Sequence, residues 1–326
     1  MDKYQKGFRS GACNQGTDFL KNRKIEKISP INACFISNTS AGSWEIRGKQ
    51  IAEMRANWIA INKPSEEVIS KSDIICIVKK PNFKLIDIAR KRNIPLVYDI
   101  VDSWNQPDDD ALYKNDKQAR DFFLKKWNEI DADAYIFPTR NMEMVLGNLV
   151  SLKTTIYHHY WPQIKINPMR EKVRKVGYEG VHFLGDWEQK IEKICNERGI
   201  EFVINPDEFT DMDVVVLARG GDYASYLARN FKSNVKLANA MGSGTPALIH
   251  YGEMSAHDTD IGDSLFFTDE PGSFERQLDS LIESHALRRT IHENYISESH
   301  NYSVDVISDK YEFFFQEVLR EVRHKL

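Results

Sequence analysis

Residues 234–249 read Asn234-Val235-Lys236-Leu237-Ala238-Asn239-Ala240-Met241-Gly242-Ser243-Gly244-Thr245-Pro246-Ala247-Leu248-Ile249. The stretch predicts a helix over Val235–Met241, a break at Gly242 and Gly244, and a strand over Pro246–His250 that is apolar throughout rather than alternating. A continuous apolar strand entered directly from a helix is the local signature of a parallel sheet covered on both faces. Moving outward, the same alternation recurs. Apolar strands are predicted over Val181–Leu184, which ends at Gly185, and at Glu201–Ile204 and Asp213–Ala218, with a helix over Glu188–Arg198 between the first two. From Ser273 to Leu326 the pattern is helical, with short turns at 297–303.

The first half repeats the plan. Strands are expected at Ala33–Ser37, Asp73–Val78, Pro95–Ile100 and Ala134–Pro138, and helices at 45–55, 82–91 and 118–130, with an acidic loop at Asp108–Asp110. Between Tyr160 and Gly180 the pattern breaks into Pro162, Pro168 and a basic run (Lys165, Arg170, Lys172, Arg174, Lys175), which reads as a linker. The expected architecture is α/β. Two Rossmann-like domains face a cleft, residues 1–165 and 166–305, and a C-terminal segment, 306–326, crosses back onto the first domain.

The 326 residues carry 44 Lys+Arg against 48 Asp+Glu, a formal charge of −4, with 41% hydrophobic and 11% aromatic residues. That suffices for two cores and argues against both a disordered chain and a basic nucleic-acid binder. Cys13, Cys34, Cys76 and Cys195 are far apart and form no C-x-x-C pair, so reduced thiols are expected. The first thirty residues are charged throughout, and no apolar run approaches the roughly 20 residues of a membrane span. A cytoplasmic protein is expected, with peripheral contact at the inner face of the membrane left open by the basic linker and the tail Arg320–Lys325.

Open parallel sheets bind ligands outside the carboxyl ends of their strands. The loop Asn38–Trp44 offers Gly42 and Ser43 for close approach, with Arg47 in the following helix, as an acceptor-side surface. It lacks G-x-G-x-x-G, so no dinucleotide fingerprint is present. Asp99 and Asp102 close one strand on opposite faces. Asp102, the better placed, is either a general base or a loop cap. In Tyr157–Pro162, His159 is a second candidate base or a hinge histidine, and the adjacent His158 points away from it, so no shared metal is expected. Asp131-Ala132-Asp133 lies at the wrong end of a strand for a metal site. Arg219-Gly220-Gly221, after an apolar strand, suits a phosphate.

The stretch 234–249 resembles the motif K-L-x-E-A-M-A-x-G-x-P-V-I of nucleotide-sugar glycosyltransferases of the GT-B fold. The resemblance is to the superfamily. It implies that Lys236 lies near the donor diphosphate, that Asn239 stands where the family's glutamate meets the ribose, and that Gly185, Arg219, Gly220 and Thr245 lie along the donor site. Asn239 departs from that pattern, as does Phe231, where the retaining branch carries a further glutamate. The implied activity is transfer of a sugar from a nucleotide-sugar donor to a hydroxyl of a carbohydrate or lipid-linked acceptor in glycan or polysaccharide biosynthesis. No cofactor or metal is required, because fixed cations neutralise the leaving group. The alternatives are a nucleotide-sugar epimerase and a non-catalytic nucleotide- or sugar-binding protein of the same fold.

Overall fold

The computed structural model describes residues 30–63, 65–103, 114–180, 184–259 and 264–323. Cys13, the acidic loop Asp108–Asp110, residues 181–183 of the expected strand Val181–Leu184 and the end of the basic tail lie outside them. Cys34, Cys76 and Cys195 are free and buried. Six strands form the first sheet: β1 (Ala33–Ile36), β2 (Trp58–Ile61), β3 (Ile74–Val78), β4 (Leu96–Asp99), β5 (Ala134–Phe137) and β6 (Lys153–Thr155), in the order β2-β1-β3-β4-β5-β6. The second holds β7 (Lys175–Tyr178), β8 (Glu201–Ile204), β9 (Val214–Leu217), β10 (Ala247–His250) and β11 (Leu265–Phe267), in the order β11-β10-β9-β7-β8. All pairings are parallel. Every residue of β1, β3, β4, β5, β9 and β10 is buried, as expected of strands with helices on both faces.

The structure corrects the start of the second sheet. Its first strand is Lys175–Tyr178, inside the stretch expected to be linker, and Glu179 rather than Gly185 follows its carboxyl end. Gly177 hides the strand signal. A Cβ there would lie 2.6 Å from the Met212 side chain and would displace it, and as a glycine the position contributes no β-propensity. The connecting segment is itself pinned: Asn167 N donates to Ser243 O at 2.7 Å, and its side-chain amide to Met212 O at 2.6 Å and Thr245 Oγ1 at 3.0 Å. Three of its five basic side chains pair within the chain, Lys165 with Glu208, Arg170 with Asp213 and Lys175 with Glu201.

Helices at Ser273–Glu283 and His285–Ser299 cover the second sheet, and a 20-residue helix, Val304–Arg323, follows. Ile307, Tyr311, Phe314, Phe315 and Val318 of that last helix belong to the same core as Phe35 of β1 and Trp58 of β2. Tyr311 and Phe315 pack their rings 5.8 Å from Phe35. No helix among the described residues is long and apolar enough to cross a membrane.

One polar cluster lies inside this core. The chain after β1 forms a short helix, Gly42–Trp44, that widens into a π-helix over Glu45–Gln50 and turns Arg47 inward. Arg47 and Asp99 are both fully buried. Arg47 Nε and Nη2 meet the two Asp99 oxygens at 2.9 and 3.0 Å, and Nη1 donates to Ile156 O at 3.0 Å and Tyr157 O at 2.9 Å. The Tyr311 hydroxyl donates to the same carboxylate. Removing one partner of such a pair leaves a buried charge uncompensated. Asp99→Asn is therefore expected to lower stability by about 3–5 kcal/mol in a urea titration. Tyr311→Phe removes one hydrogen bond to a charged group and should cost about 1.5–3 kcal/mol.

Candidate functional site

In each sheet the strand order reverses at one point, between β1 and β3 in the first and between β7 and β9 in the second. Ligands of open α/β sheets bind outside the strand ends at such points. The loop after β3 begins with Lys79, and Arg219 is the second residue of the loop after β9. Glu179 follows β7, and Asp102 lies three residues beyond β4. Lys79 Nζ reaches Asp102 Oδ2 at 2.9 Å, and Lys232 Nζ, from the second half of the chain, approaches the same oxygen at 3.7 Å. Lys79 and Val101 both have left-handed backbones, with φ of 56° and 67°. That conformation is strained for a β-branched residue, and here it directs the neighbouring Asp102 toward the two lysines.

The Val235–Ser243 helix starts beside these groups. Its N-cap, Asn234, spends its side-chain oxygen on His158 N, 2.9 Å away, so no side chain caps the first turn, and Asn234 Nδ2 is buried without a partner. The helix therefore begins with N–H groups and positive dipole free to meet an anion. Lys236, in that turn, donates to Tyr178 Oη at 2.9 Å with its ammonium 4.1 Å above the Tyr178 ring. Burial lowers its pKa well below the ordinary lysine value, and the Arg219 charge adds to the effect. Arg219 is 8% exposed, and burial pushes its pKa down to about 10. Its guanidinium pairs with Glu253, whose Oε1 has no partner.

Gly185 and Gly220 bring the loops after β7 and β9 into backbone contact. A Cβ on Gly220 would lie 2.1 Å from Leu184 O, and one on Gly185, at φ 54°, 2.6 Å from the Gly220 carbonyl carbon. Between the two halves of the chain lies a cavity of about 620 Å3, with Gln50 and His159 on one wall, Glu179 and Asn239 on the other, and Trp161 of the connecting segment between them.

The other sequence-predicted residues fall on both sides of this arrangement. Gly42 and Ser43 lie in the first turn after β1, with Ser43 Oγ buried and unpartnered. Arg47 is corrected: its guanidinium is sealed in the core by Asp99 and two carbonyls and does not face an acceptor. Thr245 is corrected as well. It is fully buried, bonded to Asn167 and Ser243, and anchors the connecting segment. His159 lines the cavity, but its two ring nitrogens meet Tyr160 O at 2.8 Å and Ile46 O at 3.0 Å, leaving no open lone pair for a base. Lys79, Lys232, Glu179, Glu253 and Gln50 escaped the sequence reading. Placing β7 at Lys175–Tyr178 would have exposed Glu179 as a residue at a strand's carboxyl end.

No family model and no curated protein matches the chain. Among solved structures it is similar to HepE of Anabaena in complex with UDP-glucose, at 12% identity and a TM-score of 0.56, covering 91% of this chain and 100% of that one. It is similar to a glycosyltransferase from Rickettsia africae, at 9% identity and a TM-score of 0.58, over 89% and 99% of the two chains. The third is WaaG, a glycosyltransferase involved in lipopolysaccharide biosynthesis, at 11% identity and a TM-score of 0.51, over 86% and 98%. The fold is GT-B. In the GT-B frame the two switch points belong to opposite halves of the cleft, and the cations lie on both.

His158, which follows β6, is buried with neither ring nitrogen partnered. Burial lowers its pKa well below 6.5, and the Arg47 charge reinforces the shift. A histidine neutral in the folded state takes up a proton on unfolding once the pH drops below 6.5. Its contribution to stability is complete above that value and is lost as pH falls toward the folded pKa. Urea midpoints should thus be level above about pH 7.5 and decline below 6.5. His158→Phe should reduce that slope by about 1.4 kcal/mol per pH unit.

Proposed function

We propose that this GT-B protein is a glycosyltransferase that moves a sugar from a nucleotide-sugar donor to a hydroxyl acceptor. One observation carries the reading: Arg219, Lys232 and Lys236 gather beside an uncapped helix N-terminus at the switch point of the second sheet, next to a cavity of about 620 Å3. Cations held partly out of water, with depressed pKa values, gain most from a doubly charged ligand. A diphosphate fits that demand, and the cavity is large enough for a nucleoside.

In the reaction, the acceptor oxygen forms a bond to the anomeric carbon as the bond to the diphosphate oxygen breaks. Negative charge grows on the leaving nucleoside diphosphate, where Arg219, Lys232, Lys236 and the helix N-terminus stabilise it. These fixed cations support the expectation that no metal is needed. Asp102, bonded to Lys79 and approached by Lys232, is the proposed base for the acceptor's proton in a direct displacement. Ser43, with its unpartnered hydroxyl, is the acceptor-side contact of the first loop. A carbohydrate or lipid-linked acceptor in glycan assembly remains the proposed class. Three of the linker's five cations pair within the chain, which gives no support to a membrane-facing patch.

The test is calorimetric titration with UDP, GDP, ADP and inorganic pyrophosphate, followed by release of nucleoside diphosphate from the matching nucleotide sugars. Lys236→Met is expected to weaken nucleotide binding about 10- to 100-fold, the worth of one charge-assisted contact. Asp102→Asn should cut transfer by at least about 100-fold. Absence of binding by every nucleotide and by pyrophosphate would overturn the reading. Binding without release of product from any nucleotide sugar would favour a non-catalytic binding protein.

A further inference from the structure

The Tyr226–Asn230 helix lies between β9 and the Val235–Ser243 helix, in the second half of the chain, yet its apolar face packs into the first. Leu227 and Phe231, four residues apart and so turned the same way, are fully buried. Both sit in one core with Phe123 and Trp127 of the Asp116–Ile130 helix, Phe137 of β5 and Met142, and neither belongs to the core of the second sheet. The Phe231 ring meets Phe123 edge-on, with centroids 6.0 Å apart. Polar contacts frame the insertion. Tyr226 Oη donates to the Asp116 carboxylate, Asn141 Nδ2 donates to Asn230 O at 2.8 Å, and Asn141 N donates at 2.8 Å to Asp258 Oδ2 of the Met254–Thr259 helix.

Two domains of one chain move relative to each other by default unless the interface between them is large and apolar. Here, rotation of the second sheet away from the first would draw two whole side chains out of a close-packed core and leave voids behind, and packed cores do not deform gradually. The inserted segment also carries charge. Lys232 directly follows Phe231, its ammonium lies 3.7 Å from Asp102 Oδ2, and Arg219 belongs to the same connection between β9 and the Val235–Ser243 helix. The place of Lys232 is thereby set by the core of the opposite domain.

We propose that Leu227 and Phe231 form an interdomain plug that holds the two sheets as one body and keeps Lys232 opposite Asp102 before any ligand arrives, with Phe231 as the positioning residue of Lys232. The cleft is built during folding rather than closed by its ligand, and ligand exchange needs no rotation of the domains. The plug rests on packing alone. Only the consequence of moving Lys232 rests on the donor-site reading.

The test uses the full chain. The native protein is expected to unfold in urea in one transition, coincident by circular dichroism and tryptophan fluorescence, and to keep its radius of gyration in X-ray scattering when UDP, GDP, ADP or pyrophosphate is added. Leu227→Ser combined with Phe231→Ser should split unfolding into two transitions and enlarge the radius, and Phe231→Leu, which keeps the plug apolar, should do neither. Two separated transitions in the native protein, a radius that shrinks on ligand addition, or a double variant that unfolds in one transition at the native radius would overturn the plug. If the double variant does not fold, the native transition and radius decide. Positioning is read in anion binding: Lys232→Met and Phe231→Ser should each weaken nucleotide or pyrophosphate binding about tenfold, and the two together no more than Lys232→Met alone. Phe231→Leu should bind as the native chain does. Additive losses would overturn the positioning role and leave the plug standing. Failure of pyrophosphate and every nucleotide to bind would overturn the donor site and the positioning role, with the plug still decided by unfolding and scattering.

Discussion

The buried contact between Arg47 and Asp99 fixes the elements on which the cleft is built. Asp99 ends β4, Arg47 belongs to the helix after β1, Ile156 and Tyr157 follow β6, and Tyr311 comes from the final helix. One guanidinium thus joins segments more than a hundred residues apart. The consequence reaches the second sheet through main-chain links: Arg47 holds the carbonyl of Tyr157, and the next residue, His158, donates its N–H to Asn234. Asn234 is the N-cap of the helix that carries Lys236. A buried ion pair of this kind stabilises little compared with well-packed apolar groups, but it admits only one arrangement of its partners. Placement of a helix N-terminus against the first domain needs that selectivity.

The cleft uses charge differently. Arg47 and Arg219 are both buried, yet Arg47 is surrounded by a carboxylate and two carbonyls, whereas Arg219 shares its surroundings with Lys232 and Lys236. The opposing carboxylates, Asp102, Glu179 and Glu253, each touch or face one of these cations. Together they keep the basic groups compensated while leaving exchangeable partners for an incoming anion. The exchange is favourable when the anion brings more charge than the carboxylate it displaces, as the proposed diphosphate would. Sealed and exchangeable arginines differ in their neighbours rather than in their own burial.

Legibility in the sequence largely followed burial. The strands β1, β3, β4, β5, β9 and β10, in which every residue is buried, read directly from unbroken apolar runs, and the partly exposed edge strand β8 reads as well, at Glu201–Ile204. The three strands without a stated range in the sequence reading, β2, β6 and β11, are sheet edges with partly exposed residues. The central strand β7 was displaced because Gly177 gives up its side chain to Met212. The site shows the same division. Lys236, Arg219 and the glycine pair were found because they follow apolar runs or interrupt them. Arg47 was assigned to the acceptor face because spacing places a residue in the first turns of a helix but not on a side of it. The π-helical widening between Glu45 and Gln50 decides that side, and it leaves no mark in the residue types.

Asn239 shows how a departure from a motif has to be read in space. Taken alone, an amide in place of a carboxylate removes a charge from that wall of the cavity. In the folded chain that amide turns its nitrogen to Glu179 and its oxygen to Trp161 N, so the charge is present on the same wall, supplied from the end of β7. The two positions are coupled by the close approach of the loops after β7 and β9, which Gly185 and Gly220 permit. A bulkier residue at either glycine would push those loops apart, and with them Arg219 and the segment carrying Glu179. The glycines therefore serve the cleft by setting the distance between its charged walls, and that is a sufficient physical reason for their place beside an arginine.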